Sequence, residues 1–420
     1  MVYVLAQNGQ PLMPTSRHGK VKHLLREGRA IVVNRCPFTI QLTYKSKTFT
    51  QPIMLGVDAG SKTIGLSATT ETKELYAAEV TLRADVVDLL SARRQFRRAR
   101  RNRTTRYRQP RFNNRRREEG WLAPSIRQRI ETHLKVVKQA YKILPISQII
   151  VEVASFDIQK IKNPDIQGTE YQQGEQVDSW NVREYVLWRD NHTCQHCFGK
   201  SKDKRLNTHH IESRKTGGDS PGNQVTVCET CHDLHNTGKI QFKFKRGQSF
   251  REAAFMGGMR WAFYNQLKGL YPNVSLTYGY ITKNIRIRNK LEKAHCVDAR
   301  CIAGNPAAIL LGYYYRQKAV RRHNRQIHKA NTLKGGRRKL NQAPKYVRGF
   351  QLFDKVIYRG QECFVFGRRS SGYFDLRLLD GTKIHASAKA KDLISVEKAT
   401  TLLTERAFPP MTEVTGIHAA

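Results

Sequence analysis

The sequence runs to 420 residues, 39% of them hydrophobic, with 74 Lys and Arg against 34 Asp and Glu and a formal net charge of +40. That apolar content is enough for two to four domains with at least one full core, which excludes global disorder. A charge surplus of this size repels itself in a compact fold unless a polyanion neutralises it, so nucleic acid is the expected partner. No apolar run is long enough to span a bilayer, so no membrane partner is expected.

Met1 to Gln10 shows no charged leader followed by a long apolar region, and the chain is expected to stay in the cytoplasm or nucleoid of a prokaryotic cell. The first fifty residues read as a small α/β unit. It has a strand at Val2–Leu5, a turn through Pro11 to Pro14, a basic helix near Val21–Arg26, and strands at Ile31–Val33 and Phe38–Leu42. Met54–Asp58 and Ile64–Ala68, joined by a turn through Ala59 to Lys62, read as a hairpin. Helical periodicity begins near Asp85 and runs until Pro110.

Between Arg93 and Arg117 stand thirteen arginines and no lysine. A guanidinium is a planar fork that clamps phosphate oxygens in pairs and stacks on bases, so an all-arginine run fits a nucleic-acid backbone better than a generic basic face does. The candidate contacts are Arg93, Arg94, Arg97, Arg98, Arg100, Arg101, Arg103, Arg106 and Arg108.

Further along, the spacing predicts a helix over Ile126–Ile143 and a strand over Gln148–Val153. After a cysteine and histidine cluster come a helix over Phe250–Leu270, a strand over Val274–Ile281 and a helix over Leu291–Ala303. The last ninety residues alternate short strands (Lys355–Tyr358, Glu362–Gly367, Tyr373–Leu379, Lys383–Ala386) with turn residues, a spacing that predicts a small barrel or sandwich. Lys345 to Asp354 and Arg368 to Tyr373 are the stretches there with candidate RNA or DNA contacts.

Four of the eight cysteines form two CxxC pairs, Cys194 with Cys197 and Cys228 with Cys231, while the other four are scattered. Two such knuckles supply four thiolates in the tetrahedral arrangement that structural Zn²⁺ prefers. Between and just after them lie His209, His210, Asn223 and His232, in the order of an HNH nuclease. In that chemistry His209 and His232 hold a divalent ion against the scissile phosphate and His210 deprotonates a water. Asn223 orients His210 or pins the hairpin. A zinc ribbon that only binds nucleic acid is the plainer alternative, and His192, His196 and His235 are read as surface or supporting residues.

Three carboxylates are dispersed along the chain. Asp58 ends one apolar strand, Glu152 another, and Asp298 sits three residues after His295 on a helix face. Acids at the ends of buried strands need a counter-charge, and two divalent cations roughly 4 Å apart would supply it for in-line phosphodiester displacement.

Together these residues resemble a ribonuclease-H-like RuvC domain split into three pieces, with an Arg-rich bridge helix after the first and an HNH domain inserted before the third. Pro11-Leu12-Met13-Pro14 resembles the opening domain of the IscB family of transposon-encoded RNA-guided nucleases, compact relatives of the CRISPR effectors. The resemblance implies a multidomain α/β chain. Its parts are a PLMP domain (1–52), RuvC pieces (53–82, 119–174 and 246–320), a bridge helix (83–118), an HNH domain with a zinc ribbon (175–245), and a basic linker with a β-rich domain that reads a target-adjacent motif or RNA (321–420). It implies an RNA-guided double-strand DNA endonuclease working as a monomer with an omega-type noncoding guide RNA. Asp58, Glu152, His295 and Asp298 would hold Mg²⁺ or Mn²⁺ and cut the displaced strand, and His209, His210 and His232, supported by Asn223, would cut the guide-paired strand. The competing readings are a stand-alone HNH homing or repair endonuclease without guide RNA, and an RNA-binding protein with decayed centres.

Overall fold

A computed structural model describes residues 1–102, 121–153, 182–213, 220–247, 251–321 and 344–408. They form two compact units, Met1–Ala154 with Met259–Ala420, and Ser155–Gly258.

The first unit opens with β1 (Val2–Leu5), β2 (Pro11–Thr15), α1 (His18–Arg26), β3 (Ala30–Asn34) and β4 (Thr39–Leu42), a sheet in the order β2-β1-β4-β3. Val2, Val4, Leu12, Ile40 and Leu42 pack with Val21 of α1, one helix covering one sheet face. Pro11 to Pro14, expected as a turn, lie in an edge strand antiparallel to β1. An edge tolerates proline, whose missing N–H breaks no interior ladder.

The second sheet of this unit is larger, with seven strands in the order β11-β8-β5-β6-β7-β12-β18. The expected hairpin is β5 (Met54–Ala59) with β6 (Thr63–Thr69), and a third antiparallel strand, β7 (Glu74–Thr81), follows. β8 (Gln148–Val153) runs parallel to β5, and β11 (Val274–Tyr278) parallel to β8. β12 (Tyr314–Ala319) is parallel to β7, and β18 (Leu402–Ala407) closes the edge antiparallel to β12. Leu55, Val57, Ile64, Leu66, Val151 and Val153 are fully enclosed, as expected of strands covered on both faces.

Besides α1, the described residues of this unit include α2 (Val86–Arg101), α3 (Pro124–Ile143), the part of α6 (Arg251–Leu270) from Met259 on, α7 (Gly279–Arg288) and α8 (His295–Ile302). The expected strand Val274–Ile281 ends at Tyr278, where Gly279 starts α7, and the expected helix Leu291–Ala303 begins only at His295. α8 packs on β5 and β6 at two glycines. A Cβ on Gly56 would stand 1.9 Å from the Ala299 carbonyl oxygen, and one on Gly65 2.0 Å from that of His295. The bare backbone at both positions is what lets the start of α8 reach the end of β5.

The remaining strands, β13 (Lys355–Tyr358), β14 (Gln361–Arg368), β15 (Tyr373–Arg377), β16 (Lys383–Lys389) and β17 (Leu393–Glu397), make one antiparallel sheet in the order β16-β15-β14-β13-β17. It is open between β16 and β17 rather than the expected closed barrel or sandwich. Its core is Val356, Cys363, Val365, Phe374 and Leu376. The chain then leaves this sheet to supply β18, where Glu405 pairs with Arg316 at 3.0 Å and accepts the Leu379 N–H at 3.1 Å.

The second unit is built from α4 (Val182–Arg189), β9 (Leu206–His210), β10 (Gln224–Cys228) and α5 (Glu229–Asn236), with β9 and β10 antiparallel. Its small core combines Val225 and Val227 with Cys194, Cys228 and Cys231. Among the described residues, no helix is long and apolar enough to cross a membrane.

Candidate metal and nuclease centres

In the second unit the four cysteines converge, with all four sulfur atoms within 4.8 Å of one another. Cys197 Sγ and Cys228 Sγ are 3.8 Å apart, and four sulfurs about 2.3 Å from a tetrahedral zinc would be spaced by about 3.8 Å. The donor set therefore fits Zn²⁺. Its protonation is uneven: burial opposes ionisation of the Cys197 thiol, but the Ser201 hydroxyl and backbone N–H groups bring it down to about 6. Burial and the neighbouring sulfurs push Cys231 well up. Four sulfurs this close cannot all carry charge without a cation among them.

Beside the cluster, β9 carries His209 and His210, and α5 carries His232. The His209 ring lies 5.4 Å from that of His232 and 5.0 Å from that of His235. Burial, then the adjacent imidazoles of His235, His232 and His210, drive His209 down to about 4, so it is neutral at neutral pH, the form that donates a lone pair to a metal. His210 faces Gln224 across the ladder. Asn223 is fully buried: its Nδ2 donates to the Glu212 carbonyl at 3.0 Å and its Oδ1 accepts the Glu212 N–H at 2.9 Å, which ties down the segment after His210.

His235, read from the sequence as a surface or supporting residue, stands in this cluster, its ring stacked at 4.3 Å on Phe242. The three-residue step from His232 to His235 puts both on one helix face, the signal that could have flagged it.

In the first unit, Asp58 at the end of β5 and Glu152 in β8 are 6% and 8% exposed. His295, the first residue of α8, brings its Nδ1 to 2.6 Å from Asp58 Oδ2. That hydrogen bond raises the imidazole's pKa against the effect of its burial. Asp298, one turn along, approaches Arg286 at 2.9 Å. Burial, then the neighbouring Asp58 carboxylate, raises both Glu152 and Asp298. Clustered carboxylates and an imidazole are suited in donor chemistry to divalent cations.

One buried arginine there had no signal in the sequence. Arg260, in α6, reaches Glu152 Oε1 at 3.2 Å and Asp58 Oδ1 at 3.9 Å while its Nε donates to the Ala59 carbonyl at 2.8 Å. His133 of α3 is also enclosed nearby, its ring centred 5.1 Å from that of Phe263 and tilted by 57°, and burial pushes it down to about 4. Among the described residues the four cysteines alone gather three or more such donors within 4.8 Å. The acids and histidines are neighbours without being closed ligand sets.

Of the arginine run, Arg93, Arg94, Arg97 and Arg98 are exposed on α2. Arg100 and Arg101 lie in the same helix, and Arg103, Arg106 and Arg108 lie outside the described residues.

Comparison with known proteins agrees with this arrangement. The RRXRR protein family matches residues 2–174, and the HNH endonuclease family matches residues 194–238, the segment that holds the cysteines and histidines. The chain thus carries an HNH endonuclease domain at residues 194–238. The RRXRR region and the HNH domain share one chain.

Among solved structures it is similar to Streptococcus thermophilus Cas9 in complex with the AGAA PAM, at 14% identity over 43% of this chain and 26% of that one, with a TM-score of 0.30. It is also similar to the same protein in complex with the GGAA PAM, at 14% identity over 51% and 30%, with a TM-score of 0.32. The chain thus spans less than a third of the Cas9 chains it matches. No curated protein matches.

Proposed function

We propose that the chain is an RNA-guided double-strand DNA endonuclease with two cutting centres. The HNH centre acts on the strand paired to a guide RNA, and a split, ribonuclease-H-like RuvC centre acts on the displaced strand. The observation that carries this reading is the meeting of Asp58, Glu152, His295 and Asp298 at one end of the seven-stranded sheet from three separate stretches of sequence. Chains that use acids merely as strand caps have no need to gather them.

In the acid centre, Asp58, Glu152 and Asp298 are the residues that would hold Mg²⁺ or Mn²⁺, which when bound polarises the scissile phosphate and neutralises developing charge. Asp58 fixes the His295 ring through Nδ1, which leaves Nε2 as the nitrogen that exchanges a proton with water. In the HNH centre His209 and His232 would hold the ion and His210 takes the proton of the attacking water. The four cysteines would hold Zn²⁺ as a structural clasp that fixes β9, β10 and α5. The exposed arginines of α2 would grip the guide RNA backbone, and +40 of charge fits a chain that works wrapped around RNA and DNA.

Strand-resolved cleavage tests the reading. Asp58→Ala is expected to leave only the guide-paired strand cut and His210→Ala only the displaced strand, each loss being at least a hundredfold. Loss of both cuts from either change would reject independent centres. Targeted cutting that survives complete removal of co-purified RNA would favour the stand-alone endonuclease instead.

A further inference from the structure

α7 separates two kinds of chemistry by helical face. Its inner side lies on the acid centre. A Cβ on Gly279 would come 3.2 Å from Glu152 Oε1, Thr282 is buried beside the same carboxylate, and Arg286 approaches Asp298 at 2.9 Å. Its outer side carries Tyr280, Lys283, Asn284 and Ile287, all exposed and spaced i, i+3, i+4 and i+7, a single stripe about 10 Å long. Tyr280 is 66% exposed and Tyr278, at the end of β11, is 38% exposed. Their rings lie nearly parallel, 6.0 Å apart with 14° between planes.

We infer that Tyr278 and Tyr280 form a stacking platform for an unpaired DNA base, and that the stripe along α7 guides a single strand to the acid centre. The inference rests on the reading that this centre cuts a DNA strand. Two parallel phenol rings left in water beside Lys283 combine the two elements by which single strands are held, a π-face for the base and a cation for its phosphate. A duplex cannot use the platform, because its base faces are covered by their own neighbours. Stacking is tolerant of sequence, as a cutter whose target is chosen elsewhere requires. The proposed role of the neighbouring acid centre, cutting DNA, makes a DNA strand rather than RNA the occupant. The platform continues directly from β11, whose Thr277 pairs with Glu152 in the ladder, so a strand lying on it runs into the acids.

The test uses the full-length ribonucleoprotein and a DNA target with each strand end-labelled. Tyr280→Ala is expected to slow cutting of the displaced strand roughly tenfold and leave the guide-paired strand unchanged, with Tyr280→Phe close to wild type. Without divalent metal, 2-aminopurine placed in the displaced strand should be quenched by the wild type and by Tyr280→Phe, and brighten with Tyr280→Ala. Wild-type cutting with unchanged quenching in Tyr280→Ala, or equal slowing of both strands, overturns the platform. So does photocrosslinking from position 280 that lands on RNA. Asp58→Ala run alongside separates the two ideas: a displaced strand still cut by that variant defeats the acid centre itself, whereas a silent Tyr280→Ala beside an inactive Asp58→Ala defeats the platform alone.

Discussion

The cysteine cluster and the carboxylate cluster bring charged donors together by opposite routes. The four cysteines come from one stretch, Cys194 to Cys231, and their sulfurs stand within 4.8 Å of one another. The acids come from positions 58, 152 and 298, across most of the chain, and protein cations already stand beside them: Arg260 between Asp58 and Glu152, Arg286 on Asp298, and His295 on Asp58. A local cluster of this kind would depend on a bound metal for cohesion, while a dispersed one is held by the sheet and by its own ion pairs.

Zinc removal should break the comparison most visibly. Structural zinc in small domains is worth on the order of 10 kcal/mol, more than the second unit's few buried side chains supply. Chelation, or Cys228→Ser, is expected to expose β9, β10 and α5 to hydrogen exchange while β5, β6 and β8 stay protected. Equal protection of both sets before and after chelation would show that the sulfurs are not holding the unit together.

The next effect belongs to the acids. Removing one member of a buried ion pair leaves an uncompensated charge and costs about 3–5 kcal/mol. Arg260→Met should destabilise the first unit by that amount, measured by denaturant unfolding, with the second unit unaffected. Added Mn²⁺ should restore part of the loss in the variant and have a smaller effect on the wild type, because the cation then does what the guanidinium did. A variant as stable as the wild type would mean that Arg260 packs there without compensating charge.

This difference also explains what could be read from sequence. The CxxC knuckles and the histidine order are local, so their spacing could be read directly along the sequence. β5, β6 and β8 were legible because both faces are covered and their apolar runs are continuous. Glu152, His295 and Asp298 could be picked out as residues, yet that they meet follows from β8 pairing parallel to β5 and from α8 docking on Gly56 and Gly65, contacts that no local pattern encodes. Arg260 was invisible because one arginine in an apolar helix looks like any surface residue. β7 was missed because its sequence, Glu74 to Thr81, lacks clean alternation, although its neighbours bury it. Pro11 to Pro14 carried turn residues into an edge strand.

Acid should affect the two regions through different histidines. His133 in the first unit and His209 in the second are both lowered to about 4, the former chiefly by burial, the latter by burial and then by the imidazoles beside it. In the unfolded chain each titrates near 6.5. Between pH 6.5 and 4 the unfolded state therefore binds protons that the folded state refuses, so stability is full above that window and falls as pH drops through it. For the fully enclosed His133 the loss approaches about 3 kcal/mol by the bottom of the window. His133→Leu keeps an apolar contact with Phe263 and should flatten the first unit's acid slope between pH 6.5 and 4, measured by denaturant unfolding at each pH. The His209 contribution persists in that variant, because its cause is a different set of neighbours. An unchanged slope in His133→Leu would mean that this histidine takes up its proton in the folded state, with the ring already open to water.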